Sequence, residues 1–324
     1  MHHLSCKVTR QLRKIIDRQT AEATSGNVTK DLAGEQVNSM LDLLLKRLDE
    51  LQSKVTDLLR RYSSMKPVNE PGEPIVFIGP SNFWKELPTE GKALQVQLLP
   101  DFDKFAELTK ILTKSLPSSA DNDLESALNG VRELIDQHGT TWINTPNDAV
   151  KALENCCIKI KKILSQYFGN KSTQVFAIPD TNALILNPTL ENWKFDGIKL
   201  FTLVLTPAVL AELDHLKINH RNEEVQKKAK TLANKFFNYA SRGDLSKGLT
   251  MVKSKIMVKS VATEPKMNQT LSWFEPTNAD DRFLASTIEI MRENLSATYF
   301  IVTGDTNMLN KAIFASIPWQ RTPD

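Results

Sequence analysis

Hydrophobic residues recur at alternating steps of four and three over residues 31–64, and this spacing predicts one long helix with a narrow apolar seam. Charged residues fill the positions between, a pattern typical of a helix face turned to water. The seam therefore needs an apolar partner. That partner is either another helix of the same chain, or a second copy or another protein in a coiled coil. The seam positions are Val37, Leu41, Leu44, Leu48, Leu51, Val55, Leu58 and Tyr62.

The rest of the first 170 residues is also predicted to be mainly helical. Residues 66–74 contain three prolines and a glycine, so the long helix is expected to stop and give way to a linker. Apolar spacing then predicts helices near residues 102–116, 121–137 and 147–168. No cluster of reactive side chains stands out in this half. Its expected role is interaction or architecture, including a homodimer or protein contact through its helices.

The pattern changes after Gly169. Apolar runs of strand length occur at residues 175–178, 201–205 and 300–303, and each leads through turn-forming residues into a helical stretch. Strands that alternate with helices are typical of an α/β domain with a parallel sheet. We therefore predict two regions, a mainly helical one over residues 1–170 and an α/β domain over residues 171–324.

Four acidic residues stand at comparable places in the predicted domain. Asp180 follows the first strand, Glu212 lies early in the helix after the second, Asp281 starts a helix, and Asp305 follows the third strand. Each alone is explained by a turn, a helix cap or a solvated helix face. A parallel sheet would bring them together at its carboxyl edge. Carboxylates gathered there suit Mg²⁺ or Mn²⁺, which prefer hard oxygen ligands.

An ion at such a site can activate water and neutralise charge on a phosphodiester. That chemistry fits hydrolysis of a nucleic-acid backbone. The four segments that carry the acids are Ile178-Pro-Asp-Thr-Asn-Ala-Leu-Ile185, Val209-Leu-Ala-Glu-Leu-Asp-His-Leu-Lys217, Asn278-Ala-Asp-Asp-Arg-Phe-Leu-Ala285 and Val302-Thr-Gly-Asp-Thr-Asn-Met308. In this order they resemble the four motifs of PIN domains.

The resemblance covers about residues 175–318 and leaves the helical half unmatched. It implies a three-layer α/β/α domain with a central parallel sheet. It also implies a ribonuclease, expected to be endonucleolytic, that uses Mg²⁺ or Mn²⁺. The metal-binding and catalytic residues it implies are Asp180, Glu212, Asp281 and Asp305, with Asp280 an alternative to Asp281. Supporting roles near the carboxylates fall to Thr181, Asn182 and Thr303.

A run of basic residues follows the helix that carries Glu212. Eleven lysines and arginines lie between residues 217 and 259, against three acids. Such a segment is suited to deliver a polyanionic strand to the site, although a solvated helix gives the same pattern. The candidate RNA-binding residues are Lys217, Arg221, Lys227 and Lys228. The interleaved aromatic residues Phe236, Phe237 and Tyr239 are expected in the core rather than against bases.

Composition adds little to this interpretation. Of 324 residues, 41% are hydrophobic and 24% are charged, as in ordinary folded proteins, and the net charge of +3 is too small to indicate nucleic-acid binding. No apolar run is long enough for a membrane span, and the N-terminal residues carry no secretory pattern, so a cytoplasmic location is expected. Three cysteines give no basis for a disulfide or zinc framework.

Two other functions fit the same sequence. One is a non-catalytic RNA-binding or scaffold protein that keeps the PIN-like shape. The other is an aspartyl-phosphate type phosphatase, suggested by the Asp-Thr-Asn sequences at residues 180–182 and 305–307. That phosphatase class requires a second acid two residues after the first, and Asn182 stands there instead.

Overall fold

The computed structural model describes residues 38–69, 79–170 and 172–324. The described residues from Ser39 to Asp324 form one compact unit. Two predicted features fall partly outside the described residues: the start of the long helix at residues 31–37, which includes Val37, and residues 70–74 of the proline-rich linker.

The long helix, α1, spans Met40–Arg61, so it ends three residues earlier than predicted. Ser39 caps it, because its hydroxyl accepts a hydrogen bond from Asp42 N at 3.1 Å while the Asp42 carboxylate accepts one from Ser39 N at 3.2 Å. This reciprocal capping satisfies two backbone donors that a helix start otherwise leaves unpaired. The helix therefore begins where a capping sequence exists, which the heptad spacing alone did not reveal.

The seam of α1 is buried by helices of the same chain. Contacts run mainly to α2 (Thr89–Leu112) and α4 (Pro146–Phe168), with fewer to α3 (Ser118–Asp136). Dimerisation through the seam stays a prediction, and it would require this packing to open. The described seam residues that are buried are Leu41, Leu44, Leu48, Leu51, Val55 and Leu58.

A small antiparallel sheet accompanies these helices, in the order β1 (Met65–Pro67), β2 (Asn82–Trp84) and β3 (Thr140–Thr141). This sheet was not predicted, because strands of two or three residues carry no readable alternation. The predicted start of α2 was too late, since the helix continues on both sides of Pro100. The mainly helical character of this region is confirmed.

A six-stranded sheet forms the centre of the second half, in the order β6-β7-β5-β4-β8-β9. All neighbouring pairs are parallel except β6 and β7, which form an antiparallel hairpin. The predicted α/β sheet is confirmed, and its three predicted strands are β4, β5 and β8. The strands are β4 (Val175–Pro179), β5 (Phe201–Leu205), β6 (Leu249–Val252), β7 (Ile256–Ser260), β8 (Thr298–Thr303) and β9 (Trp319–Arg321).

The helices of this half follow the strands closely. Because β5, β4 and β8 are parallel neighbours, the helices that follow them begin at one edge of the sheet. This edge holds the candidate site. The helices are α5 (Thr181–Leu186), α6 (Pro207–Asn219), α7 (Glu223–Ala240), α8 (Ala279–Glu293) and α9 (Thr306–Phe314). Within the described ranges, no helix is both long and apolar enough to span a membrane.

Hydrogen bonds join the helical half to the sheet half. Met40 N donates to Ala297 O at 3.1 Å and Leu41 N donates to Leu295 O at 2.8 Å. These donors lie in the first turn of α1, where no carbonyl of the helix itself can accept from them. The segment before β8 thus completes the start of α1. The division into residues 1–170 and 171–324 stays a prediction, and it would cut through these contacts.

We expect Leu48→Ala to lower the free energy of unfolding by about 2–5 kcal/mol, because it leaves a cavity in a close-packed core. Leu48 is fully buried. Val96→Ala is the matched control, since Val96 is 69% exposed and its loss should leave stability almost unchanged. Urea unfolding followed by circular dichroism measures both. Equal effects of the two substitutions would contradict the packing of α1.

Candidate active site

A cleft opens at the carboxyl edge of the parallel strands. It is bordered by the first turns of α5, α6, α8 and α9, so the N-termini of four helices face one space. The partial positive charge of a helix N-terminus favours nearby carboxylates. The residues that line the cleft are Asp180, Thr181, Asn182, Ala208, Val209, Glu212, Ala279, Asp280, Phe283, Asp305 and Met308.

Asp180 follows β4 and caps α5. Its Oδ1 accepts a hydrogen bond from Ala183 N at 2.6 Å, and its Oδ2 accepts one from the Thr303 hydroxyl. Burial raises the pKa of Asp180 to about 6; the charges of Asp305 and Glu212 add to the rise, while the bonds from Thr303 and Ala183 oppose it. The charges of two other predicted acids, Asp305 and Glu212, therefore act on Asp180.

Asp305 occupies the equivalent position after β8. It caps α9, with Oδ1 accepting from Asn307 N at 2.6 Å, and its Oδ2 accepts from the Asn182 side chain at 3.3 Å. The Thr303 hydroxyl, which donates to Asp180, also accepts from Asp305 N at 3.0 Å. Thr303 thus links the two aspartates, and two of the three predicted supporting residues, Asn182 and Thr303, contact a carboxylate.

Glu212 reaches the cleft from α6. Thr206 caps this helix through a bond from Val209 N, and Pro207 occupies its first turn, where no backbone donor is needed. The Glu212 carboxylate accepts a hydrogen bond from the Thr181 hydroxyl at 2.7 Å. Thr181, also predicted as a supporting residue, therefore connects α5 with α6.

The two neighbouring aspartates of α8 have different surroundings. Asn278 caps the helix and accepts from the N–H groups of both. Asp280 lines the cleft, where its Oδ2 accepts from the Asn307 side chain at 3.2 Å. Asp281 is 3% exposed and accepts from Lys311 Nζ at 2.8 Å and from Glu275 N at 2.9 Å. The sequence pattern favoured Asp281, whereas the cleft position belongs to Asp280.

The cause of this difference is helix rotation. Successive residues of a helix point about 100° apart, so only one of two adjacent side chains can face the cleft. The other meets Lys311 on α9. Lys311 Nζ lies 2.8 Å from Asp281 Oδ1 and 3.3 Å from Asp280 Oδ2. Burial acts to lower the pKa of Lys311, but its bonds to these two carboxylates outweigh burial and raise the pKa.

Uncharged donors hold each of the four acids that line the cleft. The hydroxyl groups of Thr303 and Thr181 donate hydrogen bonds to Asp180 and Glu212, respectively. The side-chain amides of Asn182 and Asn307 donate to Asp305 and Asp280, respectively. Asn307 was not among the predicted residues. The signal was present, because the Asp-Thr-Asn sequence of residues 180–182 recurs at residues 305–307, and the asparagine of each copy donates to an acid on another segment.

The donor chemistry of the cleft fits a divalent cation. Four carboxylates of Asp and Glu supply the hard oxygen ligands that Mg²⁺ and Mn²⁺ prefer. As the side chains stand, however, no three His, Cys, Asp or Glu side chains of the described residues are grouped closely enough to hold one ion. Binding of one ion by three of these acids therefore requires their side chains to turn within the cleft.

The candidate RNA-binding residues lie outside the cleft lining. Lys217 pairs with Asp214 and Lys228 with Glu224, in each case on the same helix. Arg221 and Lys227 are exposed, and neither has a carboxylate within 4.0 Å in the described part of the chain. Two of the four predicted residues therefore present uncompensated charge to solvent.

Comparison with known families agrees with this geometry. Residues 177–322 match the PIN domain family, so the second half of the chain contains a PIN domain, which is typically a nuclease fold that uses divalent metal ions. The match does not extend to the helical half. No curated protein matches the sequence.

We expect Asp180→Asn to stabilise the protein at pH 7, in the presence of a chelator, by up to about 3 kcal/mol. The folded-state pKa of Asp180, about 6, lies above the ordinary value of 3.8, so folding disfavours its charged form. A tenfold change in an acid's ionisation constant corresponds to about 1.4 kcal/mol. The wild type should lose stability as the pH rises from about 4 to 6, and the variant should not.

Urea unfolding at several pH values measures this difference. Asn keeps the helix cap, because its side-chain oxygen can accept from Ala183 N. Asp196→Asn, at an exposed position, is the control and should leave the pH dependence unchanged. A constant gap between wild type and Asp180→Asn from pH 4 to pH 7 would refute the assigned cause.

We expect Lys311→Met to lower the free energy of unfolding by about 3–5 kcal/mol, since it leaves the buried Asp281 carboxylate without its cation. The double variant Lys311→Met/Asp281→Asn should recover part of this loss. Lys259→Met is the control, because Lys259 pairs with the exposed Glu293 and such pairs contribute about 0–1 kcal/mol. If the losses from Lys311→Met and Asp281→Asn simply add, the two residues are not coupled.

Proposed function

We propose that this protein is a divalent-metal-dependent ribonuclease that cleaves RNA within the strand. The observation that carries the proposal is the convergence of Asp180, Glu212, Asp280 and Asp305 on one cleft. These acids come from four separate segments of the chain, so chance placement of solvated carboxylates is a poor explanation. The PIN domain match over residues 177–322 supports the same class of activity.

Asp180, Glu212, Asp280 and Asp305 are the residues that would hold the ion. A bound Mg²⁺ or Mn²⁺ supplies activation of water and neutralisation of charge on the phosphodiester. A nearby cation would stabilise the charged form of Asp180, whose pKa is raised by burial and by the charges of Asp305 and Glu212. The helix N-termini around the cleft supply only partial compensation.

The uncharged donors position the acids in this proposal. Thr181, Asn182, Thr303 and Asn307 each donate to a carboxylate on a different segment. Such donors orient a carboxylate without neutralising it, so the acid keeps its negative charge for an incoming cation. A lysine or arginine in the same place would compete with the ion.

The third acid of the site is assigned to Asp280 in preference to Asp281. Asp280 lines the cleft, whereas both oxygens of Asp281 accept bonds from Lys311 and Glu275 N. Asp281 then has a structural role, since it joins the start of α8 to α9. Lys311 also lies 3.3 Å from Asp280, so an ion that binds there has to compete with the lysine.

RNA is the proposed substrate, and Arg221 and Lys227 are proposed to attract its phosphates. Both side chains are exposed and lie on or beside the hairpin of α6 and α7, whose first helix carries Glu212. Charges of this kind increase the rate of encounter with a polyanion. Lys217 and Lys228 contribute less in this proposal, because each is paired with an acid.

A non-catalytic RNA-binding or scaffold protein is the second candidate. One observation favours it: no three acids of the described residues are grouped tightly enough to hold an ion as they stand. If the side chains cannot turn within the cleft, the domain binds RNA without cutting it. Cleavage and binding must therefore be measured separately.

We expect the wild-type protein to cleave a labelled single-stranded RNA with Mn²⁺, and a chelator to abolish cleavage. Asp180→Asn and Asp305→Asn should reduce cleavage to the chelated level, because each removes a ligand charge. Asn182→Ala, which removes only the donor to Asp305, should lower the rate by about 10- to 100-fold. Products resolved by gel electrophoresis from RNA labelled at either end distinguish internal cuts from end trimming.

The adjacent aspartates provide an internal control. Asp280→Asn should abolish cleavage while the protein stays folded, and Asp281→Asn should lower stability more than it lowers the rate for the folded fraction. The reverse ranking would identify Asp281, rather than Asp280, as the third acid of the site. Metal-independent RNA binding by a wild type that never cleaves would instead identify the scaffold function.

A further inference from the structure

We propose that the outward face of α7 is a binding track for single-stranded RNA that leads away from the cleft. The inference rests on the proposed function and adds the path of the substrate. The track is a row of exposed residues along one side of the helix, called here the α7 stripe. The stripe consists of Lys227, Lys230, Asn234 and Phe237.

The stripe follows from the period of the helix. Steps of three and four residues keep side chains on one side of a helix, so these four positions lie in one row. The opposite side of α7 faces the protein interior through Ala229, Leu232, Phe236 and Tyr239. With a rise of about 1.5 Å per residue, the stripe is about 15 Å long from Lys227 to Phe237.

Phe237 is the unusual member of the stripe. Its neighbour Phe236 is buried, but Phe237 is 73% exposed. A single exposed apolar residue is ordinary on a protein surface. Here, however, the ring lies in line with Lys230, two helical turns away, so an aromatic face and positive charge are presented together. This corrects the expectation that all three aromatic residues near here enter the core.

Neither lysine of the stripe forms an ion pair in the described part of the chain. Lys228 and Lys235, on the same helix but off the stripe, pair with Glu224 and Glu191. Lys227 and Lys230 are exposed, and within the described ranges no carboxylate lies within 4.0 Å of either. The helix thus leaves positive charge on the row that also presents Phe237.

The stripe lies beside the helices of the cleft. α6 lines the cleft with Ala208, Val209 and Glu212 near its start, and residues 220–222 then reverse the chain so that α7 packs back along α6. Near its end, α7 is tied to the segment after α5 by Lys235, which lies 2.9 Å from Glu191. Next to Lys227, Gln226 Nε2 donates to Ile218 O at 3.1 Å, near the end of α6. The Lys227 end of the stripe therefore lies away from the start of α6, which lines the cleft.

The chemistry of the stripe selects the partner. Lysines bind phosphates without regard to sequence, and an aromatic ring stacks on an unpaired base. A duplex keeps its bases stacked inside and cannot use Phe237 in this way. An acidic peptide would use the lysines but would gain nothing specific from an aromatic ring. Single-stranded RNA uses both features, and it is the proposed substrate of the cleft.

Substitutions at Phe237 separate stacking from simple apolar contact. Binding of a fluorescent single-stranded RNA is measured by anisotropy with a chelator present, so that nothing is cleaved. Phe237→Ala and Phe237→Leu should weaken binding by about fivefold or more, and Phe237→Trp should retain it. Trp142→Ala removes another exposed aromatic residue, 70% exposed and in the helical half, and should leave binding unchanged.

Salt dependence tests the lysines. Neutralising both, as Lys227→Gln/Lys230→Gln, should make the slope of log K against log salt shallower by about 1.4, or about 0.7 per lost phosphate contact. Phe237→Ala should weaken binding at every salt concentration and leave the slope alone. The control pair Lys114→Gln/Lys162→Gln, at exposed positions of the helical half, should leave the slope unchanged.

The outcomes separate this inference from the proposed function. If the wild type cleaves RNA with Mn²⁺ and the stripe variants bind like the wild type, the track is refuted and the nuclease stands. If the stripe variants lose binding while the wild type never cleaves, the track stands and the nuclease fails. Two results would each overturn the inference: stripe variants that lose binding to duplex RNA as strongly as to single-stranded RNA, or a loss in Phe237→Trp equal to the loss in Phe237→Ala.

Discussion

The cleft depends on one electrostatic constraint: four carboxylates must be held close together without a cation of the protein's own to neutralise them all. Like charges in a partly buried site repel, and together with burial this repulsion raises the pKa of Asp180. The fold meets this constraint with interactions that are weaker than an ion pair. Helix N-termini face the cleft, and uncharged donors such as Thr181 and Asn182 fix the carboxylates in place. The negative charge of the four carboxylates is therefore only partly compensated within the cleft.

The parallel sheet is what creates the constraint. β5, β4 and β8 are adjacent and parallel, so the segments that follow them are forced to one edge. Asp180 and Asp305 then serve two purposes with one side chain each, since one oxygen caps a helix and the other faces a neighbouring donor. The helical half contacts the other edge of the sheet, because the segment before β8 accepts hydrogen bonds from the first turn of α1.

Much of this arrangement could be predicted from sequence, and the failures have a common cause. The strands β4, β5 and β8 are continuous apolar runs, and the acids after them are visible as strand-end residues. Which of Asp280 and Asp281 lines the cleft was not visible, because Asp281 contacts Lys311, a residue thirty positions away. The exposure of Phe237 beside the buried Phe236 likewise depends on which side of α7 meets α6. In both cases the contact with another part of the chain, rather than the spacing of residues in the sequence, determines which way the side chain faces.

The distribution of cations offers a criterion for separating structural acids from site acids. Asp281 is buried and has Lys311 as an internal partner, so its charge is neutralised by the chain itself. In the described part of the chain, no lysine, arginine or histidine lies within 4.0 Å of the carboxylates of Asp180, Glu212 or Asp305. Asp280 stands between these cases because it shares Lys311. In the proposed function, the charge of an acid that the fold holds but does not neutralise is available to a bound cation, and the unpaired lysines of α7 are available to phosphates in the same way.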